Sequence, residues 1–224
     1  MIDRKNFKEA LKIMGFIFND SESFCTFDFG VCKMNVDFDS ETLIYPDKVR
    51  GKNHNTAFDA PENFVVFECV FRLLKKGYSP GDIELEKEWK LGHDTKGGRA
   101  DICVYDKGSE NVLMIIECKT AGREYYKALN ETTNDGGQLF SYWQQENSAK
   151  WLVLYTSNFA DGKIEYLSPA INCTDDENLL KYNDGTIKLF AASHTAREKF
   201  ETWYETYNHD FREDIIFFGR VISV

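Results

Sequence analysis

The chain has 224 residues and a mass of 25.9 kDa, enough for one large domain, or one domain with an elaborated end, and too little for a complete multidomain motor. Its 42% hydrophobic, 15% aromatic and 29% charged residues exclude wholesale disorder and collagen-like repetition. A formal charge of -10 argues against a protein that coats nucleic acid by bulk electrostatics, since that binding is driven by Lys and Arg displacing counterions, so any DNA contact must be local, metal-assisted or supplied by another domain.

The first residues, MIDRKNFKEA, lack a signal peptide's apolar stretch, and no run approaches the roughly 18 to 20 apolar residues of a membrane span. A cytoplasmic protein without membrane contact is expected. The cysteines (Cys25, Cys32, Cys69, Cys103, Cys118, Cys173) form no CxxC, and the histidines do not join them at zinc spacing, so free buried thiols are expected.

In chain order, Phe7, Ala10, Leu11 and Met14 predict a short amphipathic helix within 3–15. Small antiparallel strands are expected around 24–29, 33–38 and 42–45, then a polar linker or surface loop over 46–55. Asp59 as N-cap, Pro61 in the first turn and Glu62 placed for a capping box open a helix to Lys76, with Phe64, Val66, Phe67, Val70, Phe71, Leu73 and Leu74 on one half and Gly77 as its stop. Ile83, Leu85 and Trp89 alternate with charged residues as on a half-exposed strand. Residues 100–105, 112–118 and 151–156 read as buried strands, with a helix over 138–146. Beyond them come a strand at 163–167, a polar loop near Asp175, a strand at 187–190 and a helix near 194–207. The apolar ending Ile215 to Val224 suggests a fragment of a longer native chain. The division expected is an N-terminal part (1–58), a core (59–160) and a C-terminal extension (161–224).

The chemistry concentrates at Arg99-Ala100-Asp101, a turn at 106–111, and Val112 to Lys119. Residues two apart on a strand share a face, so Glu117 and Lys119 project together while Ile116 and Cys118 face the other way. A hairpin would bring Asp101 close to Glu117. An acid two residues before a lysine also occurs at Asp3/Lys5, Glu88/Lys90, Asp94/Lys96 and Asp161/Lys163, but only Glu117 and Lys119 end an apolar run with an acid-bearing strand upstream. Two converging carboxylates and a lysine at a strand end are costly to bury unless paired or coordinated. A divalent cation between the acids, Mg²⁺ or Mn²⁺, fits such oxygen ligands. Lys119 would then stabilise or deprotonate the water that attacks a phosphodiester. The plain alternative is a Glu117/Lys119 ion pair with Asp101 as a turn residue. Gln138 and Tyr142, four apart on a helix, share a face from which they could order the lysine or a nucleic-acid strand. Nothing resembles a Gly-x-x-x-x-Gly-Lys phosphate loop, which argues against ATP use.

Together the helix ending Leu-Leu-Lys-Lys-Gly-Tyr, the strand bearing Glu84 to Glu88, Gly-Arg-Ala-Asp, Ile-Ile-Glu-Cys-Lys and Gln-x-x-x-Tyr resemble the PD-(D/E)xK nuclease superfamily. Over about residues 60–160 they are most similar to the N-terminal nuclease domain of type I restriction enzyme R subunits. The resemblance implies an α/β fold with a restriction-endonuclease-like core: a mixed central β-sheet flanked by helices, with N- and C-terminal elaborations. It implies metal ligands at Asp101, Glu117 and the Cys118 backbone carbonyl, a catalytic Lys119, and assistance from Gln138 and Tyr142. Ala100 stands where the pattern often has Pro. Many members add a glutamate from the first core helix; Glu62 and Glu68 both border the apolar face, and Glu68 is preferred because Glu62 has a competing capping role.

Around this core Lys96, Arg99, Arg123 and Lys127 are candidates for DNA phosphates, although residues 93–127 hold six basic residues against six acids and a solvated mixed-charge surface explains each one equally well. The function expected is a Mg²⁺-dependent endonuclease module of a type I-like restriction–modification system, acting on double-stranded DNA with methylation, specificity or motor components in cis or trans. The alternatives are a junction or repair nuclease of the same fold and a non-catalytic docking or DNA-binding module.

Overall fold

The structure, a computed structural model, describes residues 1–51, 54–91, 95–135, 137–143 and 145–173. The strand expected at 187–190, the helix near 194–207, the loop near Asp175 and the apolar ending lie outside the described residues.

Helix α1 (Phe7–Met14) buries Phe7, Ala10, Leu11 and Met14, the stripe expected of one face at 3.6 residues per turn. Strands β1 (Ile17–Phe18), β2 (Phe24–Asp28), β3 (Lys33–Asp37), β4 (Thr42–Ile44) and β5 (Asn55–Ala57) then form an antiparallel sheet in chain order. The stretch expected as a linker is tied down. Arg50 donates its N–H to Ile83 O at 2.7 Å and accepts from Leu85 N–H at 2.9 Å, and Val49 is buried. At Gly51 (φ 123) a Cβ would stand 2.6 Å from the Leu85 carbonyl oxygen, so a side chain is excluded on both conformational and steric grounds.

Helix α2 (Pro61–Lys75) buries Phe64, Phe67, Val70, Phe71, Leu73 and Leu74, which join Phe7 and Phe16 of the N-terminal part in one core. Its N-cap is Ala60, without a side-chain cap bond. Asp59 instead accepts from the Asn63 amide at 2.8 Å, which corrects the expected capping arrangement.

The larger sheet runs β10-β9-β8-β7-β6, built from β6 (Ile83–Leu91), β7 (Thr95–Tyr105), β8 (Val112–Cys118), β9 (Trp151–Ala160) and β10 (Lys163–Leu167), with β11 (Ala170–Asn172) also on β9. Among the described strands only β8 and β9 pair in parallel, and parallel neighbours need a crossover. Helices α3 (Arg123–Asp135) and α4 (Gly137–Trp143) provide it. They cover one face, over Ile115, Leu152 and Leu154, while α2 covers the other, over Ile116, Cys118 and Val153. The described residues thus form a mixed α/β fold with two sheets and four α-helices.

One expectation changes. Ile83 and Leu85 join the α2-side core, but Trp89 packs on the opposite face. The left-handed backbone of Glu86 (φ 53) lies between them and reverses which way the strand's side chains point. A tight hairpin turn at Asp161 and Gly162 (φ 51 and 71) joins β9 to β10 in the central sheet. The described cysteines are free, all but Cys32 of them buried. No helix of the described residues is long and apolar enough to cross a membrane.

Candidate active site

Strands β7 and β8 pair antiparallel with Ile102 opposite Ile116. Continuing that register one step sets Asp101 beside Glu117, at the edge where β8 leaves the apolar core. Asp101 Oδ2 accepts the Cys118 N–H at 2.7 Å, locking the two strand ends together. Glu117, 4% exposed, accepts from Lys119 Nζ at 2.6 Å through Oε1. Lys119 is placed by its own N–H, which donates to Tyr155 O at 2.9 Å on β9. Its ammonium also reaches Glu62 Oε2 at 3.4 Å, at the first turn of α2.

Tyr142 of α4 approaches from the other face. Its ring stacks on Trp89 with centroids 5.5 Å apart, and its hydroxyl donates to Arg99 O at 2.8 Å. Glu117 Oε2 lies buried near that hydroxyl without a well-formed hydrogen bond of its own, an arrangement that is costly unless something else arrives. Gly98 lets the ring in, because a Cβ there would collide with it.

The electrostatics follow. Burial raises the Asp101 pKa well above the ordinary carboxylate range, and the charges of Glu117 and Glu62 add to the effect. Burial likewise raises Glu117, against the lowering influence of Lys119. Burial opposes the Lys119 ammonium, but Glu117, Asp101 and Glu62 outweigh it and push its pKa up. Tyr142 is raised by burial and then by Glu117 and Asp101, the mark of a phenol lying against both carboxylates.

Asp101, Glu117, Lys119 and Tyr142 are thus brought together, but other expected residues are not. Glu68 is turned away. It is 1% exposed and held by Arg72 and by the Tyr155 hydroxyl, the latter at 2.5 Å. Glu62, set aside because of a capping role it does not play, is the helix glutamate that reaches Lys119. Gln138 is exposed in the first turn of α4. Arg99 pairs with Glu86 at 3.2 Å, Lys127 approaches Glu131 at 3.9 Å, and Arg123 is exposed at the start of α3. The Lys96 side chain lies outside the described part. The roles of Gly98 against Tyr142 and of Tyr155 beside Glu68 were not anticipated, although a Gly-Gly pair within an acid-bearing strand is a signal for close approach of a neighbour.

Among the described residues no three His, Cys, Asp or Glu side chains gather as a ready metal ligand set. The donors that fit a hard cation are the Asp101 and Glu117 carboxylates, including the orphaned Oε2, with the Cys118 carbonyl. Two carboxylates with the remaining positions left to water and phosphate suit Mg²⁺.

Residues 66–161 match the family described as type I restriction enzyme R protein N terminus. The matched stretch runs from α2 to the turn after β9 and includes Asp101, Glu117, Lys119 and Tyr142 but not Glu62. This supports an R-subunit N-terminal region and a role in a restriction system. A search of curated proteins found no match.

Proposed function

We propose that the chain is a metal-dependent DNA endonuclease module of a type I-like restriction system, with a restriction-endonuclease-like core of the PD-(D/E)xK kind. The observation that carries the reading is the meeting of Asp101, Glu117 and Lys119 at the end of β8, with Glu117 Oε2 buried and unpartnered. The family match over residues 66–161 supports it.

In this reading Asp101, Glu117 and the Cys118 carbonyl hold Mg²⁺. A bound Mg²⁺ supplies Lewis-acid stabilisation of the charge on the phosphoryl group. Lys119, held as a cation by its carboxylate neighbours, orients the attacking water and offsets negative charge gathering on the phosphate. Glu62 steadies the ammonium from α2, and Tyr142 fixes the Arg99 carbonyl and with it the strand that carries Asp101. In the hydrolysis the water oxygen bonds to phosphorus, one ester P–O bond breaks, and the leaving oxygen ends with a proton. Double-stranded DNA is the substrate, brought by specificity or motor components elsewhere in the restriction system, in keeping with the acidic net charge.

Calorimetric titration of Mn²⁺ into the wild-type chain and Asp101→Asn tests this without depending on delivery of DNA. Binding by the wild type that is lost in the variant is expected. Equal binding, or none in either, overturns the metal site and favours a non-catalytic docking module. With binding established, plasmid cleavage by the wild type and its loss in Lys119→Ala test the hydrolysis.

A further inference from the structure

A second feature lies on the same face, one strand further along. The parallel register sets Cys118 beside Tyr155, so the next position sets Thr156 beside Lys119, separated by one strand spacing of about 4.8 Å. Thr156 lies two residues beyond Leu154, on the α3 side of the sheet that Glu117 shares. From it opens a cleft of about 450 Å³, floored by Thr156 and Asn158 of β9 and Glu165 and Leu167 of β10, and walled by Gly122 and Tyr126.

We propose that this cleft receives an unpaired nucleobase of the strand held at the candidate active site, an inference that rests on the endonuclease reading. The chemistry of the lining selects the occupant. Thr156 is 2% exposed and its Oγ1 has no hydrogen-bond partner. Rotation about χ1 exchanges its hydroxyl and methyl groups, so the oxygen can face an occupant of the cleft. Asn158, opposite Glu165 in the β9/β10 register, offers one donor group and one acceptor. Glu165 is exposed and accepts only, which suits the exocyclic amino group of cytosine, adenine or guanine and repels a phosphate. Tyr126, 58% exposed and braced edge-on by Tyr125 at 5.6 Å, presents an aromatic surface for stacking. Inside a duplex both faces of a base are covered by its neighbours in the stack, so the Tyr126 ring can take only a base that has left it.

The test measures binding of the 224-residue chain to two oligonucleotide duplexes by fluorescence anisotropy, with Ca²⁺ replacing Mg²⁺ to hold hydrolysis back. One duplex is fully paired; the other carries 2-aminopurine opposite a one-nucleotide gap. The gapped probe is expected to bind more tightly, with quenching of 2-aminopurine on the Tyr126 ring. Tyr126→Ala is expected to weaken the gapped probe about tenfold, the scale of one lost base–aromatic stack, and to leave the paired duplex within about twofold. Tyr126→Phe restores binding. Thr156→Val, matched in shape, weakens the gapped probe several-fold; should it fail to fold, the exposed Tyr126 pair of variants decides alone. Equal affinity of the wild type for both probes, or an unchanged preference in Tyr126→Ala, overturns the base site alone. Failure of the wild type to bind either probe also overturns the base site, whereas the endonuclease reading falls only on the Mn²⁺ titration, by equal binding in Asp101→Asn or none in either.

Discussion

Replacing Lys119 by Ala removes the positive charge that makes Glu117 tolerable where it is. The ammonium and Glu117 Oε1 are 2.6 Å apart, with side chains 16% and 5% exposed. At an effective dielectric of about 20 the direct attraction is about 6 kcal/mol, and most of it offsets the desolvation of the two ions. Truncating one member of a buried pair costs about 3 to 5 kcal/mol, and the partial exposure of Lys119 places this case near 3. Glu62, at 3.4 Å and 37% exposed, adds less than about 1 kcal/mol. A loss of 3 kcal/mol lowers Tm by roughly 6 to 12 °C in a domain of this size. The pH dependence has a definite sign. The Glu117 pKa is raised in the folded protein, and losing Lys119 raises it further because Lys119 is what lowers it. The native variant then binds a proton that the unfolded chain does not, so its stability falls as pH rises from the ordinary carboxylate value, about 4.3, through the folded one. Urea denaturation in EDTA of Lys119→Ala, Glu117→Gln and the double variant, at pH 8 and pH 5, reads the effect. The loss is expected to be larger at pH 8, and the double variant to recover part of it. A loss below about 1 kcal/mol at pH 8, or one independent of pH, refutes this account of the pair.

Three further outcomes are expected. Asp101→Asn keeps an acceptor for the Cys118 N–H but removes a carboxylate whose pKa is raised by burial, so without metal it stabilises the protein at neutral pH and has no effect below about pH 4; urea denaturation across pH checks this, and a destabilised variant at pH 7 refutes it. Gly98→Ala drives a methyl group into the Tyr142 ring and costs about 1 to 3 kcal/mol, with a changed near-ultraviolet circular dichroism from the Trp89–Tyr142 stack; an unchanged spectrum and Tm would count against the packing. Glu62→Gln is expected to weaken Mn²⁺ binding several-fold and Glu68→Gln to leave it unchanged, while Tyr155→Phe costs about 2 kcal/mol by removing a hydrogen bond to the buried Glu68 without altering Mn²⁺ affinity; the opposite ranking of the two glutamates in calorimetry would return Glu68 to the site.

What could be read from the chain is what depends on short-range periodicity. The apolar half of α2 follows from Phe64, Phe67, Val70, Phe71 and Leu74 at helical spacing, and β8 from five apolar residues in a row. The pairing of Asp101 with Glu117 follows from a hairpin whose turn is short and polar. α3 was not anticipated, since its buried positions are few, Tyr125 and Thr132 among them, on a helix that is otherwise mostly polar. Trp89 was set on the wrong face because a single left-handed residue, Glu86, breaks the alternation, and Glu is not a residue type that announces such a conformation.

The choice between Glu62 and Glu68 shows where local reasoning stops. Both lie on α2 and both border its apolar face, so spacing along the helix cannot separate them. Which one meets Lys119 depends on how the helix is set against β8 and β9, and that is decided by side chains distant in sequence: Arg72 and Tyr155 close around Glu68, while the first turn of the helix is left over the end of β8. The same holds for Thr156, an unremarkable strand residue until parallel pairing sets it beside Lys119. Periodicity along one element specifies which side chains face the core; only the packing of elements against one another specifies which polar groups meet, because that depends on register and helix placement rather than on neighbours in the chain.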